Sequence, residues 1–423
     1  MVNRPSEFTR ASVFATAVLA LSALTACASA PQGASGSGTA SAGGSYTWWD
    51  PYPQHDASSA WAKRVGSCGQ QAGVTIERTA YDTTALTNQA LLAGQEGNAP
   101  DVILLDNPAV STLADAGMLT PMADFGLDTA RFDANLIAAG ELDGKTYGIP
   151  IGANTLALYY NKKILDEAGV DPASIKDWAS LGAALEKVKA AGAKPITFAA
   201  IGTEEGSFQF LPWFWGAGAQ LTRLDSPQAV EALTLWTEWV KSGIAPNSVI
   251  SNSQNTTWEE FLTGEFAFAE NGTWQINSAA QADFPTGVVQ IPGKDGGVAA
   301  TPTGGEFITV PVQKDTARYA VTKKILECMT TPEGLVETGT TFAYYIPSTA
   351  DGQEQILAKE PGLQPWVDAV RSAKGRTSDN LGTDYPPISE ALWTAVQKAL
   401  SGAASPADAL EQAQAQAEQA TGE

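Results

Sequence analysis

The chain has little histidine, little cysteine and little positive charge. Its 423 residues include one His and three Cys, and 25 Lys and Arg stand against 46 Asp and Glu, for a formal net charge of -21. A His-rich metal site or a His-based triad is improbable with His55 alone, which we assign to a loop. The net charge argues against nucleic acid as a partner, because its binding requires clustered Lys and Arg. The charge also disfavours a polyanionic solute, although a local basic pocket could override it. We expect no metal and no cofactor.

Long apolar runs are also scarce. The longest extends from Ala11 to Leu24, follows Arg4 and Arg10, and is too short to span a membrane comfortably. A basic head, a short apolar run and small residues after it are typical of a signal peptide, which we assign to residues 1–27. Residues 28–45 contain only small and polar residues and Pro, so we expect a flexible tether. Because no second long apolar run follows, we expect the body of the protein to be soluble.

From Tyr46 onward, short apolar strands alternate with amphipathic helices, a pattern typical of α/β domains with a largely parallel sheet. One buried strand over residues 99–106 ends in Asp106 and Asn107. Since parallel sheets present ligand groups at the carboxyl ends of their strands, we expect these two side chains to meet a ligand. Residues 202–215 are interpreted as an aromatic-rich loop leading into a helix.

The tract from Gly144 to Asn161 holds the main clue to the architecture. Gly148, Pro150 and Gly152 interrupt the backbone at close intervals, and a strand-like run follows at once. This predicts a strand that leaves one compact body and enters another through a bendable crossing. The tract resembles the first inter-lobe crossing of bacterial extracellular solute-binding proteins of the sugar-binding type, family 1, which includes maltose-binding protein. The resemblance implies that Asn154 faces the ligand cleft.

Further segments match the same family in the same order. Residues 261–274 resemble its unit of helix, Gly, strand and Gly-x-Trp, whose Trp stacks on sugar; residues 304–311 and 341–348 resemble its second and third crossings. The resemblance covers essentially the whole mature chain. It implies an α/β, two-lobed, periplasmic-binding-protein-like (type II) fold with a hinge of several crossovers. The implied lobes are residues 46–153 plus 306–343 at the N-terminal side, and 154–305 plus 344–423 at the C-terminal side.

Two resemblances to known proteins imply a role for each cysteine. Leu24-Thr25-Ala26-Cys27 resembles the lipobox of bacterial lipoproteins, which would make Cys27 the lipid-modified first residue of the mature protein, held at the outer face of the cell membrane. Anchoring of this kind needs two or more acyl chains. The family would place Cys68 and Cys328 on helices of the first lobe, which allows a disulfide bond in an exported protein. Two buried free thiols are the alternative.

The candidate site residues combine aromatic rings with planar polar groups. A sugar ring offers an apolar C–H face that stacks on an aromatic ring, while its hydroxyls pair with carboxylates and amides. Trp274 and Trp393 match family positions that stack on sugar. For the polar candidates, helix capping or hinge hydrogen bonding is the alternative role. The predicted ligand-binding residues are Trp49, Asp106, Asn107, Asn154, Glu205, Phe208, Trp274, Glu306, Tyr345 and Trp393.

These observations predict a protein that binds a solute and does not catalyse a reaction. The resemblance implies a monomeric solute-binding lipoprotein of an ABC importer that closes over a sugar, a di- or oligosaccharide, and delivers it to the membrane permease subunits. One alternative is a secreted carbohydrate-active enzyme, with Glu204 and Asp106 as an imaginable acid and base pair. The other is a ferric-ion-binding protein of the same fold, since Tyr344 and Tyr345 resemble features of such relatives.

Overall fold

The computed structural model describes residues 45–422. The predicted signal peptide, the lipid site Cys27 and nearly all of the tether lie outside these described residues. Ser45, assigned to the tether from the sequence, already belongs to the first strand.

The first part of the chain alternates strands and helices as its sequence pattern predicts. Ser59 and Asp82 accept hydrogen bonds from the first turns of two helices, and the left-handed residues Gly73 and Gly97 end them. The elements are β1 Ser45–Asp50, α1 Ala60–Ala72, β2 Thr75–Ala80, α2 Thr83–Glu96, β3 Val102–Asp106, α3 Asn107–Asp115, α4 Ala134–Ile137, β4 Glu141–Leu142, β5 Lys145–Thr146 and β6 Gly148–Pro150.

The middle of the chain builds a second body of the same type. Asn161, Asp177 and Ser226 cap three of its helices, each accepting a hydrogen bond from a backbone N–H of the first turn. The elements are β7 Leu156–Asn161, α5 Lys162–Ala168, α6 Trp178–Ala190, β8 Lys194–Thr197, α7 Glu204–Gly216, α8 Pro227–Ser242, α9 Gln254–Leu262, β9 Phe266–Gly272, α10 Ile276–Ala279 and β10 Thr286–Val289.

The last third of the chain is mainly helical and adds to both bodies. One strand, β11, returns to the first sheet, and α15 and α16 pack on α7 and α8 of the second body. The elements are β11 Glu306–Thr309, α11 Tyr319–Met329, α12 Pro332–Thr338, α13 Ala350–Lys359, α14 Gln364–Ser372, α15 Tyr385–Leu400 and α16 Pro406–Thr421.

Two separate sheets define two lobes. The first has five strands in the order β2-β1-β3-β11-β6, with β1 parallel to β2 and β3, and with β11 antiparallel to β3 and β6. The second has four strands in the order β10-β7-β9-β8, of which only the β8–β9 pair is parallel. The two-lobed α/β architecture is therefore confirmed. The expected largely parallel sheet is wrong, because the pairings β3–β11, β6–β11, β7–β10 and β7–β9 are antiparallel.

Each sheet carries its own apolar core. Trp48 and Trp61 are buried in the first lobe, and Trp213 and Trp236 in the second. Large aromatic side chains of this kind remove much apolar surface from water, so each lobe has a core adequate for a domain. The cysteines predicted to pair lie on α1 and α11 of the first lobe, where a disulfide bond joins Cys68 to Cys328.

Three crossings between the lobes lie side by side. Ala153 in the first crossing pairs with Ile346 in the third, and Asn154 pairs with Gly304 in the second. Gly305 has a φ of 105°, and a Cβ on it would come within 2.9 Å of the carbonyl oxygen of Gly152. Only glycine allows both that conformation and that approach. The crossings therefore form one thin, close-packed connection.

One local prediction was wrong. The expected loop over residues 202–215 is almost entirely helical, because α7 begins at Glu204 and continues through Pro212. Residues 206–215 are buried in the second lobe, and this packing outweighs the helix-breaking tendency of Gly206 and Pro212.

No helix within residues 45–422 is long and apolar enough to cross a membrane.

Candidate ligand-binding cleft

A cavity of about 910 Å³ lies where the two lobes face each other. On the side of the first lobe it is bounded by α2, by the carboxyl end of β3 and by α3. On the side of the second lobe it is bounded by the first turns of α7 and α9, the segment after β9, and α15. Gly304 and Gly305 of the second crossing bring bare backbone to its wall.

Seven of the ten candidate residues line this cavity, although they come from distant parts of the chain. Strand ends and helix starts position most of them, as expected for ligand groups in α/β folds. They are Asp106, Asn154, Glu205, Phe208, Trp274, Glu306 and Trp393.

The other three candidates do not line the cavity. Trp49 packs edge-on against Tyr81 in the first lobe, with ring centroids 5.3 Å apart. Asn107 is buried and donates to the carbonyl oxygen of Thr303 at 2.9 Å, and Tyr345 is buried behind the wall. Asn107 and Tyr345 therefore support wall residues from behind, while Trp49 belongs to the packing of the first lobe.

Glu306 is the first residue of β11 and lies directly opposite Asp106 across the β3–β11 pairing. The hydroxyls of Tyr52 and Tyr345 donate to its Oε2 atom. Burial raises the pKa of Glu306 to about 7, the hydrogen bonds from Tyr345 and Tyr52 oppose the rise, and the charge of Asp106 adds to it. Near neutral pH this carboxyl is therefore able either to accept or to donate a hydrogen bond.

Arg376 is a charged residue of the wall that the sequence analysis did not predict. Its side chain is 3% exposed, and its Nη2 atom lies 2.9 Å from Asp106 Oδ1 and 2.9 Å from Asn107 Oδ1. Its Nη1 atom lies 2.7 Å from Glu204 Oε1 on the second lobe. Burial alone would lower the pKa of Arg376, but the charges of Asp106 and Glu204 raise it above its usual value. Arg376 is thus a permanent cation that joins the lobes.

Glu204 and Glu205 open α7, where carboxylates suit the positive end of a helix. Glu204 also accepts hydrogen bonds from the hydroxyls of Tyr385 at 2.6 Å and Ser389 at 2.5 Å. Glu205 is exposed, and its Oε2 atom accepts from the backbone N–H of Gln254 at 2.9 Å. Glu204 is therefore held in a network, whereas Glu205 keeps greater contact with solvent.

The aromatic side chains form a broken apolar surface within the cavity. Phe208 lies beneath the Arg376 guanidinium, whose central carbon is 5.1 Å from the ring centroid. Phe208 and Trp274 have centroids 6.4 Å apart, and both Trp274 and Trp393 remain partly exposed. The wall thus combines flat aromatic faces with carboxylates and three amides, Asn88, Asn154 and Gln254. The buried Oδ1 atom of Asn154 has no hydrogen-bond partner.

A metal centre finds little support in the described chain. Within residues 45–422, no group of three or more His, Cys, Asp or Glu side chains is arranged to hold a metal ion. Tyr344 and Tyr345, whose adjacency resembled ferric-binding proteins, do not line the cavity.

Two α/β lobes joined by three adjacent crossings, with a cavity between them, define a binding protein of the type II periplasmic class. The sequence profile described as "Bacterial extracellular solute-binding protein" matches residues 63–365. The chain belongs to this family, as the motifs of the crossings predicted.

Individual relatives agree with this assignment. The chain is 29% identical over 227 residues to the maltodextrin-binding protein MdxE of Bacillus subtilis, an alignment that covers 51% of this chain and 52% of the relative. It spans about half the length of the curated relatives it matches.

Solved structures extend the likeness to nearly the whole chain. A cyclic alpha-maltosyl-1,6-maltose binding protein from Arthrobacter globiformis superposes with a TM-score of 0.76 and 24% identity, covering 89% of this chain and 98% of that one. UgpB from Mycobacterium tuberculosis, solved with glycerophosphocholine, gives a TM-score of 0.76 at 20% identity, covering 90% and 98%. At these identities the structures establish the shared fold.

Proposed function

We propose that the protein is the solute-binding component of an ABC importer, which captures a di- or oligosaccharide between its lobes and delivers it to the permease subunits. The observation that carries this proposal is the cavity of about 910 Å³, lined by two partly exposed indole side chains of the second lobe and by carboxylates from both lobes. Several of the relatives, among them the protein from Bacillus subtilis, are named for sugars. Family membership supports the importer role.

Sugar binding would divide between two kinds of contact. Trp274 and Trp393 would stack on the C–H faces of the pyranose rings, which need flat apolar partners. Asp106, Glu205 and Asn154 would accept hydrogen bonds from hydroxyls, and Glu306 could accept or donate. These residues belong to different lobes, so the full set of contacts exists only when the lobes are close together.

Binding would therefore act through closure at the crossings. A ligand shifts an open–closed equilibrium only by its difference in affinity for the two forms, and contacts shared between lobes provide that difference. We propose lobes of residues 46–153 plus 306–343 and 154–305 plus 344–423. The segment around Arg376 touches both lobes. The permease would then recognise the closed form.

Attachment to the cell and the lack of catalysis belong to the same proposal. Lipid modification at Cys27 would hold a monomer at the outer face of the membrane, tethered by residues 28–45. The relatives are binding proteins, and the acidic residues of the wall form no isolated acid and base pair, since Asp106 and Glu204 share Arg376. We therefore propose that the bound sugar leaves unchanged.

A thermal-shift screen tests the proposal. A ligand that binds only the folded state raises the melting temperature, so mono-, di- and oligosaccharides are compared at equal concentration. We expect a clear rise with at least one oligosaccharide, and recovery of that sugar intact after prolonged incubation. Cleavage of the sugar would favour the carbohydrate-active enzyme instead, and a visible phenolate absorption band with ferric ion would favour the iron-binding alternative.

A further inference from the structure

The cavity wall has a strong excess of negative charge. Among the described residues that line it, four are acidic and one is basic, Arg376. A neutral sugar needs a few acceptors and donors but no net charge. An excess of this size therefore carries information about the ligand.

The single cation is already neutralised. The two Nη atoms of Arg376 contact Asp106, Asn107 and Glu204 at 2.7 to 2.9 Å, and its Nε atom is buried and without a partner. Both terminal nitrogens of Arg376 therefore already donate to protein oxygens, and its charge is compensated by two carboxylates before an anionic ligand enters. A phosphate entering the cavity would instead approach Glu205 and Glu306, so repulsion is expected.

The carboxylates are placed to attract a cation. Asp106 and Glu306 are directly opposite each other across two antiparallel strands, a pairing that is unfavourable for two like charges. Arg376 compensates Asp106 at 2.9 Å but makes no ion pair with Glu306, so a further positive group beside the pair would be stabilised. Glu205 lies across the cavity on the second lobe and is exposed, so its charge is available. A positive group between the lobes would thus be attracted from both sides.

The aromatic residues strengthen this preference. The faces of indole rings attract ammonium groups as well as sugar C–H faces. Trp274 and Trp393 are partly exposed on the same wall as the carboxylates. One cavity therefore offers stacking surfaces for rings and a negative field for a cationic nitrogen.

We infer that the natural ligand of this cleft is a saccharide that carries a protonated amino group, as opposed to a neutral or phosphorylated sugar. This inference rests on the proposed function, because it names the class of solute captured by the same site. The relative solved with glycerophosphocholine shares the fold, but a phosphodiester is disfavoured here by the occupied Arg376.

Calorimetric titration of matched sugars tests the inference. Glucosamine oligomers and N-acetylglucosamine oligomers of equal length differ chiefly in the positive charge, and maltotriose adds a neutral sugar of another kind. We expect the glucosamine oligomer to bind at least about tenfold more tightly than its acetylated counterpart, which is equivalent to about 1.4 kcal/mol. The preference should shrink when salt rises from about 0.05 M to about 0.5 M.

Two variants locate the effect. Glu205→Gln removes one exposed carboxylate of the wall and should reduce the preference several-fold, while Glu259→Gln, an exposed site on α9 outside the wall, should leave it unchanged. Equal or tighter binding of acetylated sugar or maltotriose would overturn the inference and leave the proposed function standing. A lack of binding by every saccharide would overturn both.

Discussion

Replacing Arg376 by methionine should destabilise the protein, because one buried cation holds two carboxylates from different lobes. Arg376 is 3% exposed, whereas its partners Asp106 and Glu204 are 28% and 36% exposed. Removing one partner of a fully buried ion pair costs about 3–5 kcal/mol, since the remaining charge is left uncompensated. Water reaches both carboxylates here, so we expect a smaller loss in the free energy of unfolding, about 2–4 kcal/mol.

Methionine is chosen because it keeps most of the volume of the side chain and its packing over Phe208. Urea denaturation followed by circular dichroism measures the effect at neutral pH. Arg223→Gln is the matched control, because Arg223 pairs with Asp225 at the surface and is 69% exposed. Its loss should remain under about 1 kcal/mol. If the two variants lost the same stability, Arg376 would not link the lobes as described.

Three further predictions concern the hinge, the disulfide bond and pH. Saturation with the best saccharide should lower the radius of gyration measured by X-ray scattering, and an unchanged profile despite binding would refute closure at the crossings. A Cys27→Ser chain titrated in denaturant should show no free thiol, and two free thiols would disprove the bond. The double variant Cys68→Ser, Cys328→Ser should lose about 2–5 kcal/mol in the free energy of unfolding, because the bond closes a long loop. Because the pKa of Glu306 is raised in the folded state, its carboxyl stays protonated to higher pH than in the unfolded chain. The free energy of unfolding should therefore fall as pH rises from about 4.5 to 7, by about 1–2 kcal/mol after allowing for partial exposure. Glu306→Gln should flatten that slope in urea titrations, and an unchanged slope would show that Glu306 titrates normally.

The sequence predicted the parts of the structure that depend on local pattern. Gly148, Pro150 and Gly152 mark a crossing because such residues interrupt the backbone whatever the rest of the chain does. Asp106 was proposed because it lies at the carboxyl end of a predicted strand, where parallel sheets present ligand groups, and Glu306 was proposed from the Gly-rich crossing that precedes it.

Contacts between distant segments could not be predicted from the local sequence pattern. Arg376 lies outside any helix or strand. Its position depends on backbone hydrogen bonds that join Lys374 to Thr301 and Thr303, which both lie more than 70 residues earlier in the chain. Trp49 was misplaced because the alternation along β1 buries Trp48 and turns its neighbour toward Tyr81. In α7, burial overrode the local signals of Gly206 and Pro212.

Calorimetric titration of the best saccharide into the wild-type protein and into the Trp274→Ala, Trp393→Ala double variant tests the central claim most directly. The wild type should bind one sugar per chain, and the double variant should bind at least about a hundredfold more weakly, since each lost stacking contact contributes about 0.5–1.5 kcal/mol beyond the area it buries. Equal affinity in the two proteins, with the variant fully folded by circular dichroism, would show that the sugar binds elsewhere.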